Sequence, residues 1–527
     1  MVNLKIIITL TIVGALLGVC LFLAVAQRRR DTMPATRARR VSNASSTVLV
    51  KRGGNLQAAI DNARYGDVIV LEAGATYAGP IVLPFKESPP DSDQYITITT
   101  SNLNGIPAEN QRVDPSIHGQ AMPKIVGPNT SVSIATAERA HHYKFVGVEF
   151  SPAADSQYLY NLIDLGRSDY KSLSQFPHHL IFDRCYIHST GLNKARRGFG
   201  LNSGDTTITN SYISGFAGAE DETQGIAGWN GPGPFHIVNN YIEGGGQNIM
   251  FGGGDPAVQN LVPSNIEIRR NFLYKPLEWF GHATIKAVIE LKNARNVVID
   301  GNVLECGGLT SAFVLTVRNQ SGTAPWSTLE DITVTNNIVR HSAAGFSILG
   351  RDSYNQSQQA KRFRIANNLL VDVGPDYSAA FLAGCCGDTM TVENNTVQQT
   401  GVIMLCYGPP ISNFVLRNNI MQYNAYGVNC PPNALDHGSR GNIIADNQGA
   451  ISDNGSPANI PNGNPVVNSY SQIGFVDYAR GDWRLGPQSK AKRRGTDGKD
   501  PGVDFDALAA AVSPSDVEPP YFGKRKK

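Results

Sequence analysis

Cysteine is scarce in this 527-residue chain, seven in all, and no C-x-x-C or paired-histidine spacing suggests a zinc site. Charged residues make up only 17% of it, and with 41% hydrophobic residues the composition fits neither a coiled coil nor a disordered chain. Long alanine- or leucine-rich helical windows are missing after residue 60, which argues against an all-α protein. A single apolar run, Ile6 to Ala26, is long enough to cross a bilayer, so the chain is not a polytopic transporter. Neither a glycine-rich phosphate loop nor a nucleophile elbow appears.

A strong charge of one sign is also missing. The net charge is +2, but the basic residues crowd the ends: seven fall in residues 1–40 and four in residues 524–527. Residues 41–523 keep 35 basic against 43 acidic residues, a net −8, which disfavours a nucleic-acid-binding body.

At the N-terminus Lys5 precedes the apolar run, and Ala24-Val25-Ala26 before Gln27 reads as a small-x-small cleavage site. Six arginines follow between Arg28 and Arg40; for an uncleaved anchor, the positive-inside rule would hold them and the body in the cytoplasm. The body looks like an extracellular scaffold, so export to the periplasm or the outside is the preferred expectation. A cleaved signal and a tethering helix both stay open, and membrane contact is expected only through this segment. Cys185, Cys306, Cys385, Cys386, Cys406 and Cys430 lie in the body. Disulfides are open to them in an oxidising compartment, but most read as small buried residues.

What the chain does have is a repeat. Ile266-Glu267-Ile268-Arg269-Arg270-Asn271-Phe272-Leu273 and Ile332-Thr333-Val334-Thr335-Asn336-Asn337-Ile338-Val339 show its form: alternating apolar residues, a polar pair, then an apolar pair. The second residue of the pair falls at Asn240, Asn271, Asn302, Asn337, Asn368, Asn395 and Asn419, with weaker copies at Ser211 and Cys185. The spacings run 31, 31, 35, 31, 27 and 24 residues. Alternation means strands, and asparagine tolerates the left-handed backbone of a sharp bend. Stacked at one strand spacing, asparagine side chains hydrogen-bond into a ladder. Coils of this length predict a single right-handed parallel β-helix, all-β; a propeller blade needs about 40–45 residues.

Leu56-Gln57-Ala58-Ala59-Ile60 followed by Gly66-Asp67-Val68-Ile69-Val70-Leu71 resembles the opening of the pectin lyase-like superfamily. Gly481-Asp482-Trp483-Arg484-Leu485 and Gly495-Thr496-Asp497-Gly498-Lys499-Asp500 are similar to the ending of exported bacterial β-helix proteins. The resemblance implies an N-terminal amphipathic helix capping the solenoid, and a fold that hosts lyases, hydrolases and adhesins alike. The expected organisation is a signal peptide or membrane anchor at 1–26, a basic linker at 27–46, the β-helix at 47–480, and an irregular segment with a basic tail at 481–527.

A second strand in each coil gives the outward face. Ile289-Glu290-Leu291-Lys292-Asn293 aligned with Leu315-Thr316-Val317-Arg318-Asn319 points Glu290, Lys292 and Arg318 outward, with Ser347-Ile348-Leu349 as the next row. Lys292 and Arg318 then meet one coil apart on a bare shelf beside Gly252, Gly253 and Gly350. One reading is a surface network with Glu290. The other is a cleft for an acidic polysaccharide, in which arginine neutralises a uronate carboxylate and a lysine of depressed pKa takes the adjacent proton. The second arrangement resembles glycan lyases of the chondroitinase B and alginate lyase type. Trp229, Asn230, Asn293, Asn319, Arg351 and His282 edge the same face as candidate substrate contacts.

Asp221, Glu222 and Asp255 offer oxygen ligands of the kind Ca²⁺ takes, although a solvated loop and a turn start before Pro256 are the preferred readings. A glycoside hydrolase using Glu222, Asp255 and Glu290 is the competing enzyme; Gly281-His282-Ala283 and Thr284-Ile285-Lys286 echo polygalacturonase motifs only superficially. A non-catalytic glycan-binding surface protein is the third class. A monomer is expected, with no certain cofactor.

Overall fold

The computed structural model describes the chain from Ser45 to Val512, apart from residues 88–92, 309, 376–377, 385, 425, 431–438, 441, 446–463 and 465. The apolar run 6–26, the linker up to residue 44 and the tail from residue 513 lie outside the described residues.

Alternation builds the coil. Strand Ser264–Arg269 is followed by the short strand Phe272–Tyr274 and then by Ala287–Leu291. Each pairs in parallel with its counterpart one coil on: Ile268 with Ile299, Leu273 with Leu304, Ile289 with Phe313. The inward residues Ile266, Ile268, Leu273, Ile289 and Leu291 are fully buried. Repetition yields three parallel sheets of 14, 12 and 14 strands, the right-handed β-helix that the repeat predicts. We call them the first, second and third sheets in the order in which a coil visits them; the third has 12 strands.

The predicted ladder runs through the bend between the first and second sheets. Asn271 Nδ2 donates to Asn302 Oδ1 at 2.9 Å, Asn302 to Asn337 at 2.9 Å, and Asn337 to Asn368 at 2.9 Å. Each Oδ1 also accepts the backbone N–H of the preceding asparagine. Ser211 and Cys185 extend the column upstream. Asn442 and Asn464 extend it downstream, beyond the last sequence copy. The pair divides the work. From Asn240 to Asn419 the residue before each ladder asparagine takes the left-handed bend, as at Asn239 (φ 56°), Asn336 (55°) and Asn367 (56°). The ladder member itself stays buried and satisfies main-chain groups that would otherwise be unpaired.

Helix Leu56–Asn62 caps the N-terminal end, as the resemblance implies; the Asn55 side chain accepts from the Ala58 N–H at 2.9 Å, and Leu56 and Ile60 are buried. The C-terminal segment is more ordered than expected. Strands Phe475–Asp477 and Asp482–Leu485 pair antiparallel, and helix Phe505–Ala511 follows. Trp483, Phe505 and Leu508 share a buried cluster with Val303, Ile338, Leu369 and Ile420 of the second sheet, outward residues too apolar to be left in water. Cys185 and Cys306 are the small buried residues expected, whereas Cys406 and Cys430 form a disulfide between neighbouring coils. Cys385 lies outside the described residues. Among the described residues no helix is long and apolar enough to cross a membrane.

Candidate active site

Strand register decides which side chains meet on the third sheet. The sequence alignment sets Leu291 against Val317, but the structure pairs Leu291 with Leu315. A shift of two residues keeps the parity, so Leu315 and Val317 are both buried and Arg318 still points outward. The next row is off by one, which does reverse it: Ile348 pairs with Leu315 in the core, and Ser347 stands opposite Val314. The inward rings explain the register. Phe313, Phe346 and Phe381 stack at 4.6 and 5.4 Å in successive coils, and the alignment placed none of them in the core column. Despite the shift, Lys292 and Arg318 are backbone neighbours: the Arg318 N–H donates to the Lys292 carbonyl at 2.9 Å.

The shelf is not bare. Glu290 is 1% exposed, and its carboxylate accepts from Gln247 Nε2 at 2.6 Å and pairs with Lys286 at 3.2 Å and Lys292 at 3.5 Å. Lys286 also reaches Glu222 at 3.2 Å, and Gln247 Nε2 donates to Glu222 at 3.0 Å. Gln224 and Arg197 continue the chain: Gln224 Nε2 donates to Gln247 Oε1 and Arg197 Nε to Gln224 Oε1, each at 2.8 Å. One polar chain thus crosses four coils. At its far end the Arg197 guanidinium lies over Tyr160 (4.6 Å) and Trp229 (5.0 Å).

Charge and burial set the protonation balance. Burial holds the Lys292 ammonium below the ordinary lysine range against the pull of Glu290, and the neighbouring Lys286 charge adds to the depression. Lys286 moves the other way: burial opposes its charge, but Glu290 and Glu222 outweigh that. Burial would raise the Glu222 carboxyl, yet the Gln247 hydrogen bond and Lys286 hold it low. Tyr160 is likewise lowered against its burial by Arg197 and Arg196.

Several predicted site residues are engaged elsewhere. Arg318 pairs with Asp352 at 3.2 Å, and its guanidinium lies 5.7 Å from the Tyr354 ring. Asn230 is buried, donating to the Arg167 and Tyr170 carbonyls and accepting from the Ala257 N–H. Asn293 accepts from the Thr328 N–H; Asn319 donates to the Gln356 carbonyl and accepts from the Ala324 N–H. These three asparagines are buried and hold inter-coil loops. Arg351 donates to Gln359 in an exposed loop, and His282 is exposed on the turn after Trp279. Trp229 backs the next loop so tightly that a Cβ on Gly254 would come within 2.8 Å of the indole.

The three acids weighed as Ca²⁺ ligands are not brought together. Asp221 accepts from the Tyr158 hydroxyl at 2.6 Å, and Glu222 faces Lys286. Asp255 accepts from the Ser321 and Thr323 N–H groups and the Thr323 hydroxyl. The three protein donors all fall on Asp255 Oδ2, while its Oδ1 is buried without a hydrogen-bond partner.

Lys286, Gln247, Arg197, Tyr160, Asp352 and Lys275 are the site residues that sequence reasoning missed. Arg197, Gln224 and Gln247 occupy one register column, so a correct strand alignment would have found them. Lys275 is fully buried and donates to the carbonyls of Gly244, Gly245 and Gly246, the turn that packs under Glu222. A shallow depression lined by Ala383, Tyr407, Pro409 and Phe414 lies further along the solenoid and carries no carboxylate or amine.

No protein-family model matches the sequence, and no curated protein matches it either. The structure is similar to that of a PL6-family alginate lyase, AlyGC, with a TM-score of 0.56 at 14% identity over 91% of this chain. The match covers 59% of that longer protein. Weaker likenesses include a mannuronic acid specific family 6 polysaccharide lyase from human gut microbiota, with a TM-score of 0.43 at 13% identity over 80% of this chain and 91% of that one. Another is a family 28 exopolygalacturonase of Yersinia enterocolitica, with a TM-score of 0.38 at 12% identity over 70% and 78%. At such identities the likeness is one of fold.

Proposed function

We propose that this chain, whose fold is the pectin lyase-like right-handed parallel β-helix, is a carbohydrate-active enzyme that cleaves a uronate-containing polysaccharide by β-elimination. The observation that carries the reading is the junction of Lys292 and Arg318 on adjacent coils, with the Lys292 ammonium held below its ordinary range. A carboxylate makes the proton on the neighbouring ring carbon removable only when its charge is neutralised. Arg318, with 27% of its side chain exposed, supplies that charge by exchanging Asp352 for the substrate carboxylate. The Lys292 amine takes the ring proton. The released electron pair forms a carbon–carbon double bond, the bond to the 4-linked glycosidic oxygen breaks, and that oxygen takes up a proton. A lysine of lowered pKa keeps more free amine near neutral pH, as a general base requires.

Arg196, Arg197 and Tyr160 extend the cationic edge three to four coils upstream, where further acid sugars would lie. The alginate lyase among the similar structures supports an acidic glycan as substrate. The Cys406–Cys430 disulfide supports export, since such bonds persist in oxidising compartments.

A hydrolase is the second reading, because Glu222 and Glu290 share one Gln247 nitrogen. Their nearest oxygens are therefore within about 6 Å, near the separation of retaining glycosidases. Lys286 bridges the same two carboxylates, which leaves little room for a sugar between them. A screen of acidic glycans that follows ultraviolet absorbance and reducing ends together decides the matter. Absorbance from unsaturated sugar supports elimination; new reducing ends without it support the hydrolase; binding without turnover supports the non-catalytic class.

A further inference from the structure

Two His-His pairs stand 37 residues apart, at His141-His142 and His178-His179. The register of the first sheet makes that spacing one coil: His141 pairs with His178, and Tyr143 with Leu180. Successive residues of a regular strand point to opposite faces. Here they do not, because His142 (φ 58°) and His179 (φ 54°) adopt the left-handed backbone conformation, which rotates the next side chain. Both members of each pair therefore face outward, while Tyr143 and Leu180 return to the core.

The result is a two-by-two grid of imidazoles. His141 stacks on His178 at 5.0 Å and His142 on His179 at 4.4 Å. Within each coil the two Nδ1 atoms lie 2.8 and 2.7 Å apart. One ring nitrogen each from His142, His178 and His179 fall within 4.8 Å of one another. Asp205, on the next coil, places Oδ2 3.2 Å from His179 Nε2. The backbone does not call for histidine here. The same left-handed position recurs in later coils at Asn265, Asn296, Asp331, Arg362, Thr389 and Asn413, so no one residue type is required there.

We propose that His142, His178 and His179 form a binding site for one divalent transition-metal ion of the Zn²⁺, Ni²⁺ or Cu²⁺ class, with Asp205 or water as the fourth ligand. Imidazole nitrogens favour these ions over Ca²⁺ and Mg²⁺. A ligand must be unprotonated, so binding strengthens as pH rises. Three nitrogens at about 2.0–2.1 Å from one tetrahedral ion stand about 3.3 Å apart, so the rings close inward from the 4.8 Å limit when the ion binds. The site lies on the first sheet and Lys292 follows a third-sheet strand, so the ion staples two coils and takes no part in the sugar chemistry.

The test uses untagged full-length protein titrated with ZnCl₂ in a calorimeter, and the Cu²⁺-loaded protein in electron paramagnetic resonance. The expected results are one saturable Zn²⁺ per chain, and hyperfine splitting from at least two imidazole nitrogens. His142→Gln and His179→Gln, made separately, should each lower Zn²⁺ affinity on the order of tenfold or more. Zn²⁺ should raise the melting temperature of the parent protein and leave that of each variant nearly unchanged. Unaltered Zn²⁺ affinity in both folded variants overturns the proposal. Should neither variant fold, a Cu²⁺ spectrum without multiple nitrogen couplings in the parent protein overturns it.

Discussion

The Arg318 backbone N–H donates to the Lys292 carbonyl at 2.9 Å, while the two side chains part: Lys292 turns to Glu290 and Arg318 to Asp352. Each cation thus has a carboxylate partner at rest, and a substrate carboxylate enters by exchange. The exposed fractions fit that order, 27% for the Arg318 side chain against 12% for Lys292. The arginine is the more open of the two.

Lys292→Ala should abolish the absorbance of unsaturated product, with a loss of about 10²–10⁴ in rate on any glycan the parent protein cleaves. Glu290 keeps Lys286 and Gln247 as partners, so the melting temperature should stay close to that of the parent protein. Undiminished absorbance from a folded variant rules Lys292 out as the base.

Lys286→Met removes the cation that Glu222 and Glu290 share. In the parent protein the folded Glu222 carboxyl titrates below its unfolded value. Its contribution is therefore present above the unfolded pKa and lost as pH falls through the folded one. In the variant the two carboxylates repel, and protonation relieves them. Melting curves from neutral to acid pH should show a deficit at neutrality that shrinks on acidification. A deficit independent of pH would assign Lys286 a packing role only.

Asn302→Ala removes the acceptor of the Asn271 backbone N–H and of one Asn271 side-chain N–H, the other still donating to the Ile237 carbonyl, in a buried bend. Urea unfolding should show a loss of about 2 kcal/mol or more. A loss near zero would mean that the ladder is a consequence of stacking rather than a support for it.

Replacing Cys406 and Cys430 by serine opens a cross-link across 24 residues. The chain-entropy estimate is a loss of about 3 kcal/mol. Hydrogen exchange should quicken in the last coils and stay unchanged around Asn271. Uniform quickening would show that the solenoid unfolds as one unit.

The solenoid was legible because its cause is local. Alternating apolar residues, a polar pair and a steady spacing repeat in every coil, and the residues that end a strand also build the ladder. Asn240 to Asn419 could be aligned by eye, whereas Asn442 and Asn464 could not, because the copies around them have lost the flanking pattern. The site was legible only in part. Lys292, Arg318 and Glu290 follow from parity, which survives an error of two residues but not of one, as the Ser347 row shows.

Sequence alone determined the coil, the bend and the face that carries the cations, since each follows from hydrophobic period and backbone preference; the cap came from the resemblance. Tertiary structure decided the partners: Lys286 between two glutamates, Arg318 on Asp352, three asparagines drawn into loops, four histidines in a grid. The reason is geometric. Contacts between coils depend on how many residues each loop spends before the strand resumes, and the rings and left-handed positions that fix that number act only once the coils are stacked.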